Sequence, residues 1–221
     1  PQRKVVLEGW SDGVGDGPGH ASPIVMLTHG VKQVITQTQN YCVSIALVDG
    51  KLLWQMPFTT DYDQNIVTPL IYKDTIIFSG LDKGTSALRL SKSGVAWRAE
   101  QVWHNEELSM YMSSPVLVGD LLFGLTDKRR GQYFCLDATT GKTQWTSEGR
   151  QGENAALLNV GGVLFLLNNA GELLIAKPSA KAFEPIAKYD VSTSATWAHP
   201  AIVGKQILVK DTAMLTMWSL E

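Results

Sequence analysis

The stretch Gln132-Tyr133-Phe134-Cys135-Leu136-Asp137-Ala138-Thr139-Thr140-Gly141-Lys142-Thr143-Gln144-Trp145 decides the fold. Tyr133, Cys135 and Asp137 alternate onto one face, as the period of two in a strand requires. Asp137 then opens a polar turn, in which a carboxylate accepts hydrogen bonds from backbone N–H groups two or so residues on and Gly141 supplies a positive φ. Lys142 to Trp145 resume the extended pattern. The stretch therefore predicts a β-hairpin that closes on a large aromatic. Burying ~150–250 Å² of indole is worth roughly 4–6 kcal/mol, so Trp145 is expected to anchor whatever packs beside it.

The phrase recurs. Ala46-Leu47-Val48-Asp49-Gly50-Lys51-Leu52-Leu53-Trp54 repeats it with a shorter turn, and Ala87 to Gly94 begins a third copy that closes at Trp97 or Trp103. Ahead of each copy stands a small or polar residue, a proline and two apolar residues: Ser22-Pro23-Ile24-Val25, Thr68-Pro69-Leu70-Ile71, Ser114-Pro115-Val116-Leu117 and His199-Pro200-Ala201-Ile202. Pro23, Pro69 and Pro115 are each 46 residues apart, and a fixed period of this length marks a repeat architecture.

Each period divides into four short strands with tight turns, the pattern of one propeller blade. Blade repeats are expected over 20–60, 67–105, 113–149, 154–190 and 197–221, all within one domain spanning 1–221. The fourth has lost its Pro and Trp, and Phe183 is expected in place of the indole. The fifth stops after three strands, while Arg3 to Glu8 reads as a lone strand ahead of a glycine-rich loop that ends at Gly19. The fold class predicted is thus an all-β propeller of about five four-stranded antiparallel blades. Its last blade is expected either to be split between the termini, leaving no open edge, or to end the C-terminal part of a larger ring.

Composition sets bounds on function. The 221 residues are 44% hydrophobic and 18% charged, with a net charge of −2, an ordinary globular balance. Lys128-Arg129-Arg130 is the one basic cluster and reads as a solvated loop, so nucleic acid is not an expected partner. No apolar run reaches the ~18–20 residues of a membrane span. No signal peptide is read within the chain, which starts at Pro1, and a processed or truncated form is expected. Asp12 to Gly17 looks like a calcium loop but lacks the downstream acidic ligand. Cys42 and Cys135 are expected as buried free thiols.

The Leu-x-Asp…Gly-Lys-x-x-Trp phrase, set behind Ser-Pro-Val-Leu-x-Gly-Asp-x-Leu, resembles the PQQ-like β-propeller repeat family over about residues 20 to 221, most tightly at Ser114 to Trp145. In style the chain is nearest the family's non-enzymatic outer-membrane-assembly lipoproteins. The resemblance implies that Trp54, Trp145 and Trp103 dock each blade on its neighbour, with Asp137 and Gly141 shaping the turn. It also implies an extracytoplasmic location and rings of seven or eight blades, so that a homodimer or a missing N-terminal half would complete this one. The family's enzymes hold PQQ under adjacent cysteines, with calcium on an acid and an amide. Neither that cysteine pair nor that cluster is recognisable here, and no PQQ, calcium or other cofactor is expected.

Residues three positions before each blade's proline, or its equivalent, are expected at one rim of the channel: His20, Ile66, Met112, Asn154 and Trp197, with Tyr111 and His199 beside them. The set is largely apolar and holds no acid–base pair, so a channel plug is expected ahead of a ligand site. The first reading of function is a scaffold that offers a protein or peptide partner its blade loops, with Trp10, Tyr62, Met110, Tyr111 and Trp197 as contacts. The alternatives are a quinoprotein-type oxidoreductase fragment and, more weakly, a carbohydrate-binding propeller.

Overall fold

A computed structural model describes residues 16–17 and 19–220. The strand expected at Arg3 to Glu8, the proposed sharing of the last blade with it, Trp10 and most of the calcium-loop look-alike lie outside the described residues. Two compact units make up the chain, one ending at Tyr111 and the other beginning at Met112.

The first unit carries two sheets. β1 (Ile24–Thr28), β2 (Val31–Gln37), β3 (Tyr41–Ala46) and β4 (Leu52–Pro57) form one; β5 (Leu70–Tyr72), β6 (Thr75–Ser79), β7 (Thr85–Ser93) and β8 (Ala96–Asn105) form the other. The second unit carries three. β9 (Val116–Val118), β10 (Leu121–Thr126), β11 (Gln132–Asp137) and β12 (Thr143–Thr146) are followed by β13 (Ala155–Val160), β14 (Val163–Asn168), β15 (Glu172–Lys177) and β16 (Glu184–Asp190). A three-stranded sheet of β17 (Ala201–Val203), β18 (Gln206–Lys210) and β19 (Leu215–Ser219) comes last. Every sheet is an antiparallel meander in sequence order, the arrangement of propeller blades. No helix among the described residues is long and apolar enough to cross a membrane.

The hairpin β11–β12 shows why the repeated phrase folds as it does. Asp137 Oδ1 accepts the N–H groups of Thr139 and Thr140, both at 2.9 Å. Gly141 sits at φ 71° and donates its N–H to the Asp137 carbonyl at 2.8 Å. A side chain at that φ would be strained, so the glycine is required by the turn. The turn at Asp49-Gly50 repeats the logic, with Gly50 at φ 76° and the Lys51 N–H donated to Asp49 Oδ1.

A β-bulge interrupts the third and fourth strands of each four-stranded sheet, between Ser44 and Ile45, Ala87 and Leu88, Cys135 and Leu136, and Ile175 and Ala176. Facing the residue before the bulge stand Trp54, Trp103, Trp145 and Ala187 in turn. The bulge adds local twist and re-aims the side chain opposite it. In the first three sheets a small residue, Ser44, Ala87 or Cys135, faces the indole. In the fourth the volumes are exchanged, with Ile175 facing Ala187. The register also resolves the third copy of the phrase, which closes at Trp103 and not at Trp97.

Phe183 therefore does not replace the indole, contrary to the sequence expectation, because it precedes β16 and lies outside the bulged pair. It stacks instead on Tyr133 at 5.4 Å between centroids and leans on Trp145 at 5.6 Å. Trp145 donates its indole N–H to the Ser179 carbonyl at 2.7 Å. Around these rings Phe123, Leu125 and Cys135 of the third sheet mesh with Leu157, Leu164 and Leu166 of the fourth. In the first unit Trp54, 5% exposed, joins Met26, Ile35 and Cys42 to Ile76, Phe78, Leu88 and Leu90 of the second sheet.

Replacing Trp145 by Ala is expected to cost about 3 kcal/mol or more, read from urea unfolding. Trp145→Phe should cost less, because the ring packing survives while the bond to Ser179 is lost. A loss below ~1 kcal/mol for the alanine variant would contradict the docking role.

Candidate functional site

The loops that follow each second strand, together with those that join consecutive sheets, carry the candidate residues. Their geometry starts from a buried polar side chain at the end of every second strand: Gln37, Ser79, Thr126, Asn168 and, one residue past β18, Asp211. A buried polar group calls for partners, and these reach backbone, although Gln37 Oε1 is left without one among the described residues. Gln37 donates to the Val67 and Ser79 carbonyls, tying the first sheet to the second. Ser79 Oγ donates to the Gly84 carbonyl and accepts the Met110 N–H. Asn168 Oδ1 accepts the N–H groups of Ala170 and Glu172, and its amide donates to the Gln151 carbonyl. Asp211 builds the same turn in the next sheet, accepting from Ala213 and Met214, and adds the Ser192 hydroxyl at 2.7 Å.

Asn65 is the densest of these knots. Fully buried, it donates to the carbonyls of Thr38, Gln39 and Phe58 and accepts the Thr60 hydroxyl at 3.1 Å. Its own carbonyl accepts the His20 N–H at 3.0 Å. Sequence reading missed this residue; the signal available was a lone amide between two polar turns.

The expected rim residues occupy different settings. In the first unit His20 is exposed and Tyr111 half-buried. In the second, Asn154 accepts the Ser113 hydroxyl at 2.7 Å, and that same hydroxyl accepts the Ala155 N–H at 2.9 Å. The Asn154 side chain thus joins the third sheet to the fourth. Met112 is half-buried, Trp197 is 51% exposed, and His199 is exposed yet sufficiently desolvated to titrate below the ordinary histidine range. Met110 is a correction: expected as an exposed contact, it is fully buried because its backbone is pulled in to Ser79. His104 lies in β8 and pairs its Nδ1 with Ser86 Oγ at 2.7 Å.

Exposed apolar groups stand both on loops and on strands, among them Leu215, Met217 and Trp218 of β19. Tyr62 is 86% exposed on a single 3-10 turn, Asp61–Asp63. Asp16, from the calcium-loop look-alike, spends its carboxylate on the Asn40 N–H and amide. Among the described residues no three His, Cys, Asp or Glu side chains are grouped to hold a metal ion. Cys42 and Cys135 are free and buried, and burial pushes each thiol up to about 12.

A family model described as "Outer membrane protein assembly factor BamB" matches residues 8–179. Among solved structures, BamB from Moraxella catarrhalis superposes with a TM-score of 0.65 at 13% identity, covering 92% of this chain and 59% of that one. The quinohemoprotein alcohol dehydrogenase ADHIIG from Pseudomonas putida HK5 gives 0.59 at 15% identity, covering 93% of this chain and 42% of that one. The chain therefore spans well under two thirds of the length of either. At these identities the likeness concerns the fold. No curated protein matches the sequence significantly.

Asp211 yields a pH prediction. The Met214 N–H, then the Ser192 hydroxyl and the Ala213 N–H, hold its carboxyl well below the usual carboxylate range. A depressed folded-state pKa contributes stability that is present above the unfolded value, near 3.8, and is lost as pH falls from there toward the folded value. Asp211→Asn, which keeps the Oδ1 acceptor as Asn168 does, should unfold with a weaker dependence on pH below about 4. An unchanged acid limb in thermal unfolding would contradict the assignment.

Proposed function

Because the chain belongs to the PQQ-like propeller family described as outer membrane protein assembly factor BamB, we propose that it is a non-enzymatic scaffold. It works outside the cytoplasm, binding protein partners in outer-membrane protein assembly through its blade loops. The observation that carries this reading is how the polar groups at the blade ends are used. Gln37, Asn65, Asn154, Asn168 and Asp211 spend their side chains on loop backbone and on one another's neighbours. They fix the loops and leave large side chains such as Tyr62 and Trp197 standing in solvent. Rigid loops that present aromatics are the ingredients of a protein-docking surface, since an aromatic anchor gives much contact area for little lost conformational freedom.

The family's quinoproteins set the contrast. Their quinone lies under two adjacent cysteines, whereas both thiols of this chain are singly placed in the third strands β3 and β11, buried inside their sheets. Addition of PQQ with calcium is expected to leave tryptophan fluorescence unchanged and to give no dye-linked oxidation of alcohols or sugars. Saturable quinone binding with turnover would overturn the scaffold reading. Binding of the chain to a reconstituted outer-membrane assembly complex is the direct test. Tyr62→Ala and Trp197→Ala should each weaken it by about tenfold with no loss of stability, as expected of exposed anchors; a complex that ignores both substitutions would move the surface elsewhere.

A further inference from the structure

Two loops of the second unit combine opposite features: backbone in the left-handed region and long cationic side chains. Arg129 and Arg130, in the 3-10 turn Lys128–Arg130 between β10 and β11, have φ of 52° and 63°. Arg150, in the loop after β12, has φ 67°. Left-handed backbone crowds any Cβ against the following carbonyl, which is why glycine fills such positions. The chain follows that rule at Gly119, Gly161 and Gly204, all near 60°, and departs from it elsewhere at His29, Tyr62, Asp63, Lys73 and Asp82. At three positions in neighbouring loops it keeps arginine.

The loops are locked together. Arg150 donates its N–H to the Arg129 carbonyl at 3.0 Å, and Gln151 donates to the Gly131 carbonyl at 3.1 Å. A Cβ on Gly131 would stand 1.9 Å from the Gly152 carbonyl oxygen, and one on Gly149 would stand 2.7 Å from that of Arg129. Asn168 braces the second loop through the Gln151 carbonyl. These ties are made by backbone, glycine and asparagine; the arginine side chains make none of them. Arg129, Arg130 and Arg150 are all exposed, with Lys128 next to Arg129 in sequence and Asp127 and Glu148 in the same loops.

We propose that Arg129, Arg130 and Arg150 form a docking platform for an acidic segment of a protein partner. The proposal rests on the protein-binding reading above and gives it a surface and a partner chemistry. Strained backbone is retained where the side chain it displays is needed. The guanidinium is the cation that pairs carboxylates two-pronged and is easily desolvated, so three of them on a rigid pair of loops suit spaced carboxylates. Asp127 and Glu148, interleaved with the cations, oppose a densely anionic surface such as a lipid leaflet, and tolerate carboxylates that come singly on a peptide.

The test uses the whole chain and a short fluorescent peptide of alternating glutamate and serine, with anionic vesicles and a lysine–serine peptide as comparisons. Saturable binding of the glutamate peptide that weakens with salt is expected. It should fall by about tenfold or more in Arg129→Ser/Arg130→Ser/Arg150→Ser and stay unchanged in Lys32→Ser/Lys83→Ser/Lys205→Ser, which removes equal charge elsewhere. Equal weakening in both variants, or binding to vesicles without binding to the peptide, overturns the platform. Arg130→Gly should melt at or above the temperature of the parent chain; a clear fall would show that the arginine serves the fold, and would also overturn it. If the assembly complex holds the triple arginine variant as tightly as the parent, the platform fails while the scaffold reading stands; if it binds neither, both fail.

Discussion

An indole set opposite a β-bulge is the contact on which the rest depends. A flat four-stranded meander has two faces and an open edge at each side, and alone it buries too little to be stable. The bulge twists the third and fourth strands and turns the ring out of its own sheet toward the next. Trp54 thereby reaches Ile76, Phe78 and Leu88, and Trp145 reaches the Ser179 carbonyl and Phe183. The small residue facing each indole makes the room. Where the fourth sheet drops the indole, the larger side chain of the pair moves to the third strand as Ile175, facing Ala187.

The second constraint is polar. Each loop at a blade end holds carbonyls and N–H groups that would be buried unpaired, and the chain meets this with one polar side chain per second strand. Gln, Ser, Thr, Asn and Asp take turns at that place, so no single letter repeats and no motif is visible. The equivalence of Asn168 and Asp211 emerges from their bonds, since both carry two N–H groups on Oδ1. Side chains committed in this way stiffen the loops that carry Tyr62, Trp197 and the three arginines.

The strands were legible in the sequence because strand and turn signals are local. Proline before the first strand, glycine with Asp at the hairpin and a closing tryptophan bracket the elements, and the four-strand division read from them is the one observed in the first four sheets. What was illegible is what register and tertiary contact decide. A bulge shifts pairing by one residue without a sequence mark, so Phe183 reads as an indole substitute in sequence and is not one in register. Met110 sits in a stretch that reads as loop, and only the Ser79 hydroxyl, 31 residues away, draws it inside. Asn154 reads as a rim group, and its bond to Ser113 across 41 residues of chain is a tertiary contact that such a reading does not contain. Arg150 joins Arg129 through a backbone bond between separate loops, which no reading of the Lys128-Arg129-Arg130 run contains.

Departures from the repeat are where this chain differs from a bare scaffold. Docking of sheet on sheet constrains strand lengths, bulge positions and the volumes around the indoles, and a change there is answered elsewhere in the same core. Loops carry no such obligation once their backbone is satisfied. The hairpin β7–β8 runs nine and ten residues where β3–β4 runs six and six, and its extension brings Trp97 edge-on to His29 at 5.8 Å. The turn at Tyr62 and the loops at Arg129 and Arg150 accept left-handed backbone beneath bulky side chains. Glycine at these places would relieve the backbone. On the proposed protein-binding reading, a side chain kept against that local cost, in solvent and on a braced loop, is where a partner would be met, and the blades serve to hold that loop still.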